Sequence, residues 1–121
     1  MDNILIVEDD NDLSNLVKDY LQIEGFNCII AENGEEGIEK LNHQKIDLII
    51  MDIMMPKMDG VTTLNKLKEL TGFEIDTIAL TADAIDGQKE KYLQDGFNDY
   101  LAKPIEKKEL NRVIIKFLSQ K

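Results

Sequence analysis

Glu8, Asp9, Asp52, Thr81 and Lys103 each follow directly on, or one residue after, a short apolar run. Three carboxylates, a hydroxyl and an ammonium gathered in one place can receive a phosphoryl group. At about 5 Å separation and an effective dielectric near 20, each pair among Glu8, Asp9 and Asp52 would repel by roughly 3 kcal/mol. Such a cluster persists only where a cation compensates it or one carboxyl keeps its proton. Lys103 supplies one positive charge, and a divalent cation would supply the rest. Oxygen donors with no His or Cys nearby favour Mg²⁺ or a similar hard ion, which retains waters and leaves room for phosphate oxygens. Asp52 stands alone at the end of its run and is placed to attack phosphorus. The metal, Lys103 and the Thr81 hydroxyl would then neutralise the transferring oxygens. Any one acid at a strand end reads more simply as a solvated terminator. Five such groups together, with Pro104 after Lys103, favour a site.

The elements that must position them can be read from the same runs. Ile4-Leu5-Ile6-Val7, Leu48-Ile49-Ile50-Met51, Ile78-Ala79-Leu80 and Tyr100-Leu101-Ala102 are unbroken and apolar, the habit of strands buried on both faces in a parallel sheet. Stretches of helical spacing separate them, so the chain alternates strand and helix in βαβ units. Right-handed crossovers point every strand the same way, and ligand sites of open α/β sheets lie at the carboxyl edge.

In detail, strand 1 is expected at about Asn3–Glu8, and helix 1 from near Asn11 to Glu24, with Leu13, Leu16, Val17, Tyr20 and Leu21 inward and Gly25 ending it. Strand 2, Asn27–Ala31, is weaker and suits an edge. Helix 2 opens on Asn33 as N-cap with Glu36 three residues on, and turns Ile38 and Leu41 inward. Strand 3 ends at Asp52 and leads into the loop from Met54 to Gly60. Helix 3 presents Val61, Leu64, Leu67 and Leu70 and is closed by Gly72. Strand 4 ends at Thr81. Helix 4, about Ile85–Asp95, has only Ile85, Tyr92 and Leu93 to bury, which makes it the least anchored helix and a candidate for movement. Strand 5 ends at Lys103, and helix 5 buries Leu110, Val113, Ile114, Phe117 and Leu118.

A chain of 121 residues holds one domain with a sheet covered on both faces but no second core. Net charge −10 argues against nucleic acid as a direct partner and suits cations or basic patches. No apolar stretch is long enough to span a bilayer, and no signal peptide is expected ahead of strand 1, so a cytoplasmic protein is expected. Cys28, the one cysteine, reads as a small buried hydrophobe.

The stretches Ile4-Leu5-Ile6-Val7-Glu8-Asp9-Asp10, Asp47 through Asp52 to Pro56-Lys57-Met58-Asp59-Gly60, Ala79-Leu80-Thr81-Ala82 and Tyr100-Leu101-Ala102-Lys103-Pro104 resemble the receiver domain of two-component response regulators. In this order and spacing they are highly specific, and the likeness covers residues 1–121. It implies a single receiver domain without an output domain, in a flavodoxin-like five-stranded parallel sheet of order 2-1-3-4-5 with five helices, one of the common doubly wound arrangements. It implies a phosphoacceptor in a phosphorelay, with Asp52 taking its phosphoryl group from a phosphohistidine on a histidine kinase or histidine phosphotransfer protein. It further implies Mg²⁺ held by Asp9, Asp52 and the Met54 backbone carbonyl, with Glu8 through water. Lys103 and Thr81 would contact the phosphoryl group, and Thr81 with Tyr100 would form a switch changing the helix 4, strand 5 and helix 5 surface for a downstream protein. A cis Lys103-Pro104 bond is expected. No activity is implied beyond the domain's own phosphorylation and dephosphorylation.

Glu8 replaces the commoner Asp, Asp76 stands where many relatives have Pro, and Ile105 where Phe is frequent. The stretch from Thr81 to Tyr100 looks most similar to receivers fused to histidine kinases. His43 lies at the end of helix 2 and reads as a surface residue, Gly37 as a packing accommodation, and Lys107-Lys108 as a solvated face. Met51 belongs to a strand, while Met54, Met55 and Met58 belong to one loop. A flavin carrier would need a phosphate-cradling loop after strand 1, where Glu8-Asp9-Asp10-Asn11-Asp12 repels phosphate. A haloacid dehalogenase-type phosphatase would need Asp at 54, and a nicotinamide-binding domain a Gly-rich turn. The alternative that remains is a receiver-shaped interaction module working without phosphorylation.

Overall fold

The computed structural model describes residues 2–54, 59–70, 73–82 and 88–118. Its elements are β1 (Asn3–Val7), α1 (Asn11–Ile23), β2 (Asn27–Ala31), α2 (Gly34–His43), β3 (Leu48–Asp52), α3 (Gly60–Lys68), β4 (Asp76–Thr81), α4 (Gln88–Asp95), β5 (Asp99–Ala102) and α5 (Lys107–Leu118). The strands pair in parallel in the order β2-β1-β3-β4-β5. This is the flavodoxin-like arrangement expected from the sequence.

The two-residue alternation of the strands sorts the core into two layers. Ile4 and Ile6, Leu48 and Ile50, Ile78 and Leu80, and Leu101 meet Val17 and Leu21 of α1 and Leu110, Val113, Ile114 and Leu118 of α5. Leu5 and Val7, Ile49 and Met51, and Ala79 meet Leu64 and Leu67 of α3, Tyr92 of α4 and Phe97, with Ile38 and Leu41 of α2 at the margin. Fully burying one such side chain contributes about 1.5–3 kcal/mol. Unbroken apolar strands are required because both faces are covered.

Helix starts follow from local chemistry. Asp10 accepts from the Asp12 and Leu13 amides, Asn33 from Glu36 and Asp59 from Thr62, each satisfying donors that an unstarted helix leaves open. A Cβ at Gly60 would come within 2.7 Å of the Ile53 Cα and 2.8 Å of the Asp52 carbonyl oxygen. Only Gly lets α3 begin so close to the end of β3. At Gly37 a Cβ would lie 3.0 Å from a Val7 methyl, in keeping with a packing role. Cys28 is buried, and desolvation pushes its thiol up to about 12, which keeps it unreactive.

Several expectations need correction. Leu16 is 60% exposed, because the buried stripe of α1 runs through Ser14, Val17 and Leu21 and leaves Leu16 past its edge. Leu93 is 44% exposed, since the short α4 turns Tyr92 to the sheet and Leu93 follows one residue on. β1 stops at Val7 and β5 at Ala102, one residue before their functional side chains, and α3 ends at Lys68. Gly72, Ile85 and the loop residues 55–58 lie outside the described residues. His43 is exposed as expected, and the Lys103-Pro104 bond is cis.

Asp99 was not expected to matter, yet it anchors α5 to the edge strand. Its Oδ2 accepts from Arg112 at 3.0 Å and Lys116 at 3.2 Å, and its Oδ1 accepts from the Tyr100 amide at 2.8 Å. Burial raises the pKa of this carboxyl, but the Arg112, Tyr100 and Lys116 contacts outweigh that and leave it lowered. Among the described residues, no helix is long and apolar enough to cross a membrane.

Candidate functional site

Parallel register carries the chemistry to one edge of the sheet. Asp52 pairs with Leu80, Thr81 pairs with Ala102, and the Lys103 amide donates to the Thr81 carbonyl at 2.8 Å. The Glu8 amide continues β1 by donating to the Ala31 carbonyl at 3.0 Å. Every side chain singled out at the strand ends therefore emerges at the carboxyl edge.

There Glu8, Asp9 and Asp52 each offer a carboxylate oxygen within 4.8 Å of the others. Glu8 and Asp52 are buried, while Asp9 is exposed and gives the cluster its mouth. The Lys103 ammonium lies 2.8 Å from Asp52 Oδ2 and 2.9 Å from Glu8 Oε1. Asp52 Oδ1 accepts from the Met54 amide at 2.9 Å, which fixes the carboxylate in the turn after β3. Glu8 Oε2 accepts from the Asp10 amide at 3.2 Å. Asp10 itself caps α1 and stays out of the cluster.

Charge governs this arrangement. Desolvation, then the neighbouring Asp52 carboxyl, push Glu8 up to about 7, although Lys103 and the Asp10 amide pull the other way. Lys103 suffers desolvation too, but its contacts with Asp52 and Glu8 outweigh it and raise its pKa. One ammonium against three carboxylates leaves two negative charges if all three ionise. Glu8 Oε1 is buried and, although 2.9 Å from Lys103, accepts no well-oriented hydrogen bond. An all-oxygen donor set with a buried oxygen to spare and a deficit of two charges fits a hard divalent cation.

Thr81 is buried at the end of β4, and its hydroxyl lies 2.9 Å from the Tyr92 hydroxyl of α4. Tyr100 is half-buried on β5, its ring 6.3 Å from that of Tyr92. The Met54 side chain is 76% exposed beside the site. Glu8, Asp9, Asp52 and Lys103 are thus brought together, while Thr81 ends the adjacent β4 and Tyr100 pairs with Ala79, two residues before it. Sequence reasoning missed the Tyr92 hydroxyl. It treated Tyr92 only as an apolar anchor of helix 4, although a buried Tyr hydroxyl usually finds a partner.

The response regulator receiver domain family matches residues 4–115, and the chain belongs to that family. It is 40% identical over 110 residues to the transcriptional regulatory protein CpxR of Escherichia coli K12, covering 91% of this chain and 46% of CpxR. The chain thus spans about half the length of that relative. Among solved structures it resembles the receiver domain of sensor histidine kinase PA1611 from Pseudomonas aeruginosa PAO1, at 32% identity and a TM-score of 0.86 over 98% of each chain. In that structure a magnesium ion is coordinated in the active site cleft. It also resembles a chain in the co-crystal structure of the Saccharomyces cerevisiae phosphotransfer protein Ypd1 with the receiver domain of Ssk1. That likeness has 27% identity and a TM-score of 0.86, over 96% of this chain and 88% of the other. A receiver domain of two-component signalling is the class that fold and site define.

Proposed function

We propose that this domain is a phosphoacceptor in a phosphorelay, with Asp52 as the residue phosphorylated. The carrying observation is the Asp52 carboxylate, buried and fixed between the Lys103 ammonium at 2.8 Å and the Met54 amide at 2.9 Å, among Glu8 and Asp9. A carboxylate oxygen of Asp52 attacks phosphorus, forming an O–P bond as the P–N bond to a partner's histidine breaks. The partner is a histidine kinase or a histidine phosphotransfer protein. Lys103 faces the developing charge on the phosphoryl oxygens, and its approach to Asp52 brings the anionic donor in.

Asp9, Asp52 and the Met54 carbonyl would hold Mg²⁺, with Glu8 through water. Bound there, Mg²⁺ supplies positive charge to the nucleophile and to the transferring oxygens. The domain works in the cytoplasm and catalyses nothing beyond its own phosphorylation and dephosphorylation. Thr81 and Tyr100 form the switch: the Thr81 hydroxyl turns to the phosphoryl oxygens, the Tyr100 ring follows, and the α4-β5-α5 surface changes for a downstream protein. Swinging such an equilibrium from 1:99 to 99:1 takes about 5.5 kcal/mol. One hydrogen bond and one charge contact supply part of that, so the shift is partial.

Labelling with acetyl phosphate tests the reading. With Mg²⁺ the protein gains one phosphoryl group, and with a chelator the rate falls to background. Labelling in neither condition would leave the phosphorylation-independent interaction module as the function.

The phosphoryl group is also expected to be lost slowly. Hydrolysis needs a water in line behind phosphorus, and the family resemblance implies that residues 54 and 83 are the ones to hold it. The second of these is Asp83, which lies outside the described residues. Met54 has no donor and only a weak acceptor, so it orients no water. The Met54→Asn variant is expected to dephosphorylate several-fold faster with Mg²⁺ present. Equal or slower decay would take that role away from Met54.

A further inference from the structure

We infer that Tyr92 is a positioning residue for the switch, its hydroxyl holding the Thr81 hydroxyl in the resting place. The inference rests on the phosphoacceptor reading and goes beyond it by adding a second tyrosine. Two hydroxyls lie 2.9 Å apart, one on β4 and one on α4, and their residues are 1% and 4% exposed.

Strand alternation decides what this bond does. Glu8 shares its face with Ile4 and Ile6, and Asp52 shares its face with Leu48 and Ile50, the layer of α1 and α5. Thr81 shares its face with Ala79, in the opposite layer, where Tyr92 and the Tyr100 ring also pack. The Thr81 hydroxyl is therefore held on the α4 side of the sheet edge, while Glu8 and Asp52 belong to the other side. To donate its one proton to a phosphoryl oxygen on Asp52, Thr81 turns over the edge and gives up Tyr92. The resting bond competes with the switched one.

The ring of Tyr92 makes the competition felt further off. It lies 6.3 Å from the Tyr100 ring at an interplanar angle of 44°, and Tyr100 pairs with Ala79, two residues before Thr81. Releasing Thr81 thus loosens the α4 residue against which Tyr100 rests. Tyr92 tunes the fraction of phosphorylated domain that switches.

The Tyr92→Phe variant keeps the ring and removes the hydroxyl. With Asp52 phosphorylated to the same extent, the ratio of switched to resting signals for Thr81 and Tyr100 in the NMR spectrum is expected to rise roughly two- to tenfold, the range of one net hydrogen bond. In a Thr81→Ala background the same substitution is expected to leave the Tyr100 ratio unchanged, because the Thr81 hydroxyl is gone. Without phosphorylation, Tyr92→Phe is still expected to move the Thr81 methyl and Tyr100 ring resonances. An unchanged or lowered ratio, an equal rise in the Thr81→Ala background, or unmoved resting resonances each overturn the inference. A wild type that takes no phosphoryl group would sink the functional reading instead, and the resting spectra would still decide the role of Tyr92.

Discussion

Asp52→Asn is expected to reduce phosphoryl labelling to background while leaving the fold at least as stable as the wild type. The amide keeps the shape of the carboxylate but is no nucleophile toward phosphorus. Stability follows from three charges. Asp52 lies within 4.8 Å of both Glu8 and Asp9, and at an effective dielectric near 20 each repulsion is worth at least roughly 3 kcal/mol when both members are ionised. Its attraction to Lys103 at 2.8 Å is worth roughly 6 kcal/mol on the same scale. The two nearly cancel, and the desolvation of a buried carboxylate then tips the balance toward the amide. Thermal unfolding in chelator at about pH 8, where Glu8 has lost its proton, checks this, and a clearly lowered Tm would show that the Lys103 contact dominates.

The second large effect is a loss of stability with rising pH in the metal-free protein. Glu8 titrates near 4.5 in an unfolded chain and at about 7 in the folded one. Its raised folded value makes the native state bind the proton more tightly. The contribution of Glu8 is therefore fully present below about pH 4.5 and is lost as pH rises through 7. A difference of about 2.5 units corresponds to about 3 kcal/mol. Asp99 runs the other way, its lowered value giving stability that is lost as pH falls below the ordinary Asp range. The two windows do not overlap, so metal-free stability should peak near pH 4–5. Denaturant unfolding between pH 5 and 8 is expected to show a decline that Glu8→Gln flattens. A profile of equal slope in both proteins would contradict the assignment to Glu8. Added Mg²⁺ is expected to bind more tightly as Glu8 loses its proton and to offset the decline.

The parts legible in the sequence are those set by local pattern. Unbroken apolar runs ending at Glu8, Asp52, Thr81 and Lys103 define parallel strands and one edge, because both sheet faces need covering and every crossover has the same hand. The Asn33 cap needs only a side chain and the amide three residues on. What escaped depends on how elements meet. Leu16 is apolar and helically spaced, yet the buried stripe of α1 runs through Ser14, Val17 and Leu21 and leaves it in solvent. The Tyr92 hydroxyl and Thr81 are 11 residues apart and bond only once α4 has docked beside β5, the neighbour of β4. Asp99 read as one acid among many, since Arg112 and Lys116 reach it only after α5 docks.

The most direct measurement is a peptide map of the wild type after incubation with acetyl phosphate and Mg²⁺. One phosphoryl group, stable in acid and labile in base, is expected on the peptide that carries Asp52. A phosphoryl group mapped elsewhere, on His43 or on a Ser or Thr peptide, or none at all, would contradict the assignment of Asp52 as the phosphoacceptor.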